Sequence, residues 1–285
     1  MLGSLDLTAI LAKISGVEDP DSIHNFSPGY IETYLPIFKR FVEAYFRAEV
    51  RNIERIPDGP SMIVGNHNAG LNFVEPFLMG AEWYSYRGFT EPMYYLAHDG
   101  VVVLPILAPI LLRVGIIRAR QENAKKVLDA GKRFAVFPGG EWEAFRPYSE
   151  KNVVDFAGHD GFARLAVETN HPVVPMMSLG GHETFFILDR GEDLAEKIGM
   201  DKLLRSKNFP ISIGLPWGLA LGPLLYIPLP AKLEVEMGQP FRASEVVRPR
   251  MSKEKKVRVV YQETIDRIQR MLHEADEKRF LPVVG

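Results

Sequence analysis

The sequence predicts an α/β fold: a single domain with a largely parallel or mixed sheet flanked by helices, plus an N-terminal amphipathic helix. Three observations predict it. From about residue 60 onward, short apolar runs alternate with helix-patterned segments, the sequence signature of βαβ units. The chain has 285 residues, 46% of them hydrophobic, enough for one sizeable core. Near each end, apolar residues recur at spacings of three and four, the period of a helix with one buried face.

In the first segment, 1–55, Ile31, Leu35, Phe38, Val42 and Tyr45 form such a stripe. Lys39, Arg40, Arg47 and Arg51 alternate with Glu32, Glu43 and Glu49 on the polar side, which suits either a helix packed on the core or one lying in a membrane interface. Pro36 is expected to kink this helix or delay its start. Pro57-Asp58-Gly59-Pro60 then opens the second segment, 56–285. Strands are expected at 62–64, 93–96, 134–137, 173–177 and 233–237, with helices at 74–83, 104–114, 122–130 and 161–169 between them. Val257, Tyr261, Ile265, Ile268 and Leu272 mark a long closing helix.

Composition removes several function classes. A formal net charge of −2 argues against a general nucleic-acid binder. The chain has no cysteine, which excludes disulfides, thiolate nucleophiles and Cys-ligated zinc. No paired histidines share a helical face, so no metal is expected. Met1-Leu2-Gly3-Ser4-Leu5-Asp6 lacks a basic segment leading into an apolar one, so no secretory signal is expected. Residues 209–231 carry no charge, but their five prolines would interrupt a spanning helix repeatedly. A loop-and-strand segment or a lipid-facing surface is expected there. Residues 101–112 are also uncharged, and too few to span a bilayer.

Two loops carry the chemistry. One follows the strand at 62–64 and reads Gly65-Asn66-His67-Asn68-Ala69-Gly70-Leu71-Asn72; the other reads Phe137-Pro138-Gly139-Gly140-Glu141-Trp142-Glu143-Ala144-Phe145-Arg146-Pro147. Both would leave the carboxyl ends of strands, the edge where open α/β sheets bind ligands. His67 is the candidate general base, since a neutral imidazole can take a proton from an attacking hydroxyl near physiological pH. Pro138, Gly139 and Gly140 form either a turn that needs positive φ or a cradle of bare amides for an acyl carbonyl or a phosphate. Arg118, Arg120 and Arg146 are candidate anion contacts, Arg146 foremost because it follows the loop directly. Glu141 and Glu143 either orient an acceptor or cap the following helix. His98 and His182 are read as structural.

These residues resemble the lysophospholipid and glycerolipid acyltransferase superfamily. Its first motif is a His and, after four intervening residues, an Asp; here His67 is followed by Asn72 at that place. Its glycine–arginine motif is similar to Gly115-Ile116-Ile117-Arg118-Ala119-Arg120, its third motif to Phe137-Pro138-Gly139-Gly140-Glu141, and its last to Val173-Val174-Pro175. The Pro-Gly-Gly form looks like the branch containing diacylglycerol acyltransferases. The likeness covers roughly residues 45 to 245.

The resemblance implies an O-acyltransferase that moves a fatty acyl group from acyl-CoA or acyl carrier protein to a hydroxyl of a glycerolipid or other lipid alcohol. It implies no cofactor beyond that co-substrate and no acyl-enzyme. The acyl donor, the lipid acceptor and a membrane surface are the expected partners. The cytoplasmic side of a membrane is the expected location, a soluble cytoplasmic protein being second. The sequence specifies no oligomeric state. At Asn72 three readings stand side by side. Asn72 orients His67 as an amide, another carboxylate such as Glu75, Asp99 or Glu141 supplies the missing charge, or the chain is a catalytically impaired lipid binder. A lipid esterase or thioesterase on the same scaffold is the further alternative; the absence of a Gly-x-Ser-x-Gly elbow weakens an ordinary α/β-hydrolase.

Overall fold

The computed structural model describes residues 19–68, 70, 74–102, 107–199, 208–222, 224, 226–281 and 283–284. Asn72, the first 18 residues and 103–106 lie outside the described residues. In chain order the elements are α1 (Pro28–Phe46), β1 (Glu49–Arg51), β2 (Met62–Gly65), α2 (Val74–Arg87), β3 (Met93–Ala97), α3 (Asp99–Val102) and α4 (Ala108–Arg113). Next come β4 (Ile116–Arg118), α5 (Gln121–Asp129), β5 (Arg133–Val136), α6 (Gly140–Ala144), α7 (Gly161–Thr169), β6 (Val173–Leu179), β7 (Phe186–Asp189) and α8 (Glu192–Ile198). The chain closes with β8 (Ile211–Gly214), β9 (Gly218–Leu221), β10 (Glu234–Met237), α9 (Ala243–Val246) and α10 (Lys253–Asp276).

Seven strands form the main sheet in the order β1-β10-β6-β2-β5-β3-β4. All neighbours in it are parallel except β10 and β6. The fold is therefore a mixed α/β domain, as the alternating pattern predicts. The pleat divides its core: Met62 and Val64 of β2 join one buried cluster with α7 and α10, while Ile63 joins another with α1 and α2. β7, β8 and β9 make a separate antiparallel sheet.

The five expected strands are present within one or two residues. β1 and β4 have three residues each, too short to show a period. Residues 211–221 form the β8–β9 hairpin rather than a helix, and no helix among the described residues is long and apolar enough to cross a membrane. Of the two expectations at Pro36, a kink or a delayed start, the delayed start is not met. α1 begins at Pro28, capped by Ser27, and runs through Pro36 without a delayed start. Pro28 fits the first turn, where its missing N–H costs nothing, and Pro36 faces solvent.

Candidate active site

β2 and β5 are adjacent and parallel, so the loops that follow them emerge side by side at one sheet edge. Asparagines on both sides of His67 pin its loop to β6. Asn66 donates to the Ser178 carbonyl (2.9 Å) and accepts from its N–H (2.8 Å), so its side chain acts as a surrogate strand. The Asn68 amide also donates to the Ser178 carbonyl (2.7 Å), and its oxygen accepts from the Ser178 hydroxyl (3.2 Å). Gly181 packs so closely on Asn68 that a Cβ there would lie 2.1 Å from its Oδ1.

Behind His67 stands Glu75, in the first turn of α2 and wholly buried (0% exposed). Its Oε1 lies 3.3 Å from His67 Nδ1 and accepts the Asn68 N–H at 2.8 Å. Burial alone would push the imidazole pKa down, but the charge and hydrogen bond of Glu75, helped by the Glu143 charge, raise it above its ordinary value. Burial would likewise raise Glu75, yet His67 and the Asn68 N–H hold it below the usual carboxylate range. Of the carboxylates that the sequence offers in place of the Asp expected at 72, Glu75 lies against the imidazole.

A second carboxylate lies on the other side of the histidine loop. Glu143 is buried, and its two oxygens accept the His67 N–H (3.1 Å) and the Asp155 N–H (2.9 Å). Burial outweighs these bonds and raises it to about 7. His182 Nε2 meets the Glu143 carbonyl at 3.2 Å, and burial lowers this imidazole to about 3, so it is neutral and its Nε2 carries the hydrogen that the carbonyl accepts.

The glycines of the Pro-Gly-Gly turn have different tasks. Gly140 adopts φ +50°, in open space. Gly139 has an ordinary helical φ of −62°, but a Cβ on it would lie 2.3 Å from the Glu143 side chain. Its bareness makes room for that carboxylate. The Gly140 amide donates to the Phe137 carbonyl (3.0 Å), so it is already engaged rather than offered to a ligand. His159 Nδ1 reaches the Pro138 carbonyl at 2.9 Å and steadies the turn.

A cavity of about 1080 Å³ opens beside the two loops. His67, Pro138, Gly139, Gly140, Glu141 and Arg120 line its polar part. Leu96, Leu111, Ile116, Val136, Phe137 and Phe162 contribute apolar wall. Of the expected anion contacts, Arg120 alone lines the cavity, its guanidinium 3.5 Å from Asp99. Arg118 is held in an ion pair with Asp21, which Asn123 also binds (2.6 Å). Arg146 is buried (2% exposed), 4.0 Å from Glu143 and 3.7 Å from Glu150, and is absent from the cavity wall. Glu143 likewise faces the histidine loop rather than an acceptor. Among the described residues, no group of three His, Asp or Glu side chains is arranged to hold a metal ion.

Sequence reasoning missed Asn66, Asn68, Ser178, Asp155 and His159. The flanking asparagines were a usable signal, because Asn side chains commonly replace backbone hydrogen bonds where a strand gives way to a loop.

The fold has a likeness among solved structures. The structure of the 1-acyl-sn-glycerophosphate acyltransferase PlsC from Thermotoga maritima matches it with a TM-score of 0.50 over 87% of this chain and 81% of that one, at 19% identity, a likeness of fold. In sequence, residues 33–281 match the diacylglycerol acyltransferase family, and the chain belongs to it. An uncharacterized protein of Mycobacterium bovis is 27% identical over 206 residues, 72% of this chain and 55% of its own length. The DGAT1/2-independent enzyme synthesizing storage lipids of Bos taurus is 26% identical over 163 residues, 57% of this chain and 47% of its own. The chain spans about half the length of the curated relatives it matches.

Proposed function

We propose that this protein transfers a fatty acyl group from a thioester donor, acyl-CoA or acyl carrier protein, to the hydroxyl of a lipid alcohol, with His67 as general base. The observation that carries the reading is His67 on the wall of a largely apolar cavity with Glu75 3.3 Å behind its Nδ1. Glu75 fixes the tautomer that carries hydrogen on Nδ1, so Nε2 takes the proton.

The steps then balance. The acceptor oxygen attacks the thioester carbonyl as its proton passes to Nε2, and the carbonyl becomes a tetrahedral oxyanion. Collapse of that intermediate breaks the C–S bond, and the departing thiolate takes the proton back from the imidazolium. The products are an ester, a free thiol and a neutral His67. Glu75 stabilises the imidazolium between the two transfers, the part that the resemblance gives to an Asp at position 72. The apolar wall suits the acyl chain, and Arg120 at the polar end suits an anionic group of donor or acceptor.

A peripheral place on the cytoplasmic side of a membrane fits the surface. α1 exposes Tyr34, Ile37 and Phe41, and the β8–β9 hairpin exposes Ile213, Leu215, Trp217, Leu219 and Leu221. Tyr45 at the end of α1 donates to the Pro228 carbonyl (2.7 Å), which ties that helix to the chain beyond the hairpin. Exposed apolar faces of this extent mark interaction surfaces.

The test is transfer of label from radiolabelled acyl-CoA, and separately from acyl carrier protein, onto a panel of lipid alcohols, with His67→Ala beside the wild type. General-base catalysis contributes roughly 10²–10⁴-fold, so the variant should lose at least about 10²-fold. Labelled free fatty acid in place of a lipid ester would make the protein a hydrolase. No turnover from any donor would overturn the enzyme reading.

A further inference from the structure

We infer that Glu143 is a positioning residue for His67: its buried carboxylate bridges the His67 N–H and the Asp155 N–H, and Gly139 is bare so that it can reach them. The bareness of Gly139 in the Pro-Gly-Gly turn then serves the base. The role rests on the acyl-transfer reading for its kinetics alone, because the geometry exists without substrate.

Three independent facts converge on this role. The two oxygens of Glu143 each accept one backbone N–H, and the donors come from separate loops, at 3.1 Å from His67 and 2.9 Å from Asp155. A methyl group on Gly139 would come within 2.3–2.4 Å of Cγ, Cδ and Oε2 of Glu143. The cluster is also held on its far side, where His182 meets the Glu143 carbonyl and Arg146 stands 4.0 Å from the carboxylate. Helix capping does not account for the arrangement, since both accepted N–H groups lie outside α6.

The bond to the His67 backbone fixes one end of the histidine while Glu75 fixes its ring. A general base works only when held within hydrogen-bond reach of the proton it removes. Loss of either tether leaves the residue present but misplaced, and a displacement of about 1 Å can cost around 10²-fold in rate. Glu143 is absent from the cavity wall, so it acts through His67.

Glu143→Gln keeps shape and one acceptor oxygen but sets an amide NH₂ against one of the two N–H donors. It is expected to lower kcat by about 10–10²-fold and to leave the donor KM within about twofold. Gly139→Ala is expected to reproduce that loss by displacing the same carboxylate. In a Glu143→Ala background, where the clash is gone, Gly139→Ala should cost little more. This non-additivity separates a shared device from two unrelated lesions.

A second readout needs no turnover. NMR titration of the His67 imidazole should move to lower pH in Glu143→Gln, because one of the charges that raise its pKa has gone. Additive losses in the cycle, or an unmoved His67 titration in a folded Glu143→Gln protein, would overturn the positioning role. An inactive wild type whose His67 titration still shifts would retain that role and reject the acyl-transfer reading instead.

Discussion

Replacing Glu75 by Gln tests the chemistry most directly. In the variant, the amide oxygen can still accept the Asn68 N–H that Glu75 Oε1 accepts at 2.8 Å, which keeps that oxygen against His67 Nδ1. The exchange therefore removes a charge and preserves the geometry. A carboxylate and an imidazolium 3.3 Å apart attract by about 5 kcal/mol at an effective dielectric of roughly 20. That energy equals about 10³–10⁴-fold in rate, if the imidazolium forms fully in the transition state. A triad Asp→Asn exchange in a serine protease costs about 10⁴-fold, a similar scale reached from a different fold. The assay is initial-rate transfer from labelled acyl-CoA across pH 6 to 9, with Glu75→Gln, Asn72→Ala and His67→Ala in parallel. Glu75→Gln should fall by about 10³-fold or more in kcat with little change in donor KM. Its acid limb should move to lower pH, because the charge that raises His67 has gone. Asn72→Ala should cost far less. A Glu75→Gln enzyme within tenfold of wild type, or an Asn72→Ala loss equal to it, would refute the assignment of the charge to Glu75.

Three further outcomes follow from the structure. Glu143 titrates at about 7 in the fold against 4.5 in an exposed carboxyl, so the folded state binds its proton the more tightly. Its contribution to stability is complete below pH 4.5 and lost as pH rises through 7, about 3 kcal/mol in all. Urea melts of wild type and Glu143→Gln should therefore differ by an amount that changes between pH 4.5 and 7.5; a constant difference would show that burial does not control this carboxyl. Arg118→Ala should lower Tm by breaking the pair with Asp21 and leave the donor KM unchanged, whereas Arg120→Ala should raise the KM of an anionic donor several-fold. Steady-state kinetics beside thermal melts separate the two, and equal KM effects would contradict the placement of Arg118 outside the cavity. Trp217→Ser with Leu219→Ser should reduce flotation with liposomes while preserving transfer to a detergent-dispersed acceptor. Unchanged flotation would remove the hairpin from the membrane surface.

The parts of the fold legible in the sequence are those with a period long enough to read. β2, β5 and β6 are apolar runs buried on both faces of a parallel sheet, and the helices around them show clean stripes. β1 and β4 have three residues and exist because β10 and β3 offer them an edge, a tertiary fact with no local signature. The site divides the same way. His67 and the Pro-Gly-Gly turn are visible because loops after strands carry chemistry in α/β folds. Glu75 reads locally as one more residue near the start of a helix, and nothing in its neighbourhood says that it is buried. Arg146 departs from expectation for the opposite reason: its closeness in sequence to the loop suggests the substrate, whereas it lies buried beside the Glu143 carboxylate and off the cavity wall.

The buried arginine and the two glutamates make sense as one charge set around the histidine. With Glu75 and Glu143 ionised, Arg146 charged and His67 neutral, these four groups sum to one negative charge in a site shielded from water. When His67 takes a proton from the attacking hydroxyl, the same four groups sum to zero. Burying net charge is costly, so the surroundings favour the protonated imidazole over the neutral one, and the raised pKa of His67 reflects that preference. A base surrounded in this way gains stabilisation as it works, since the favoured state is the one that develops in the transition state. The two carboxylates are displaced in opposite directions, Glu75 downward by its bond to the imidazole and Glu143 upward by burial, and this separates their tasks. Glu75 stays ionised through the cycle, while Glu143 ionises near pH 7 and, at higher pH, holds the histidine loop in place. In the proposed reaction, activity should therefore rise with pH on a limb that both His67 and Glu143 govern. Glu143→Gln should leave that limb to His67 alone, shifted to lower pH.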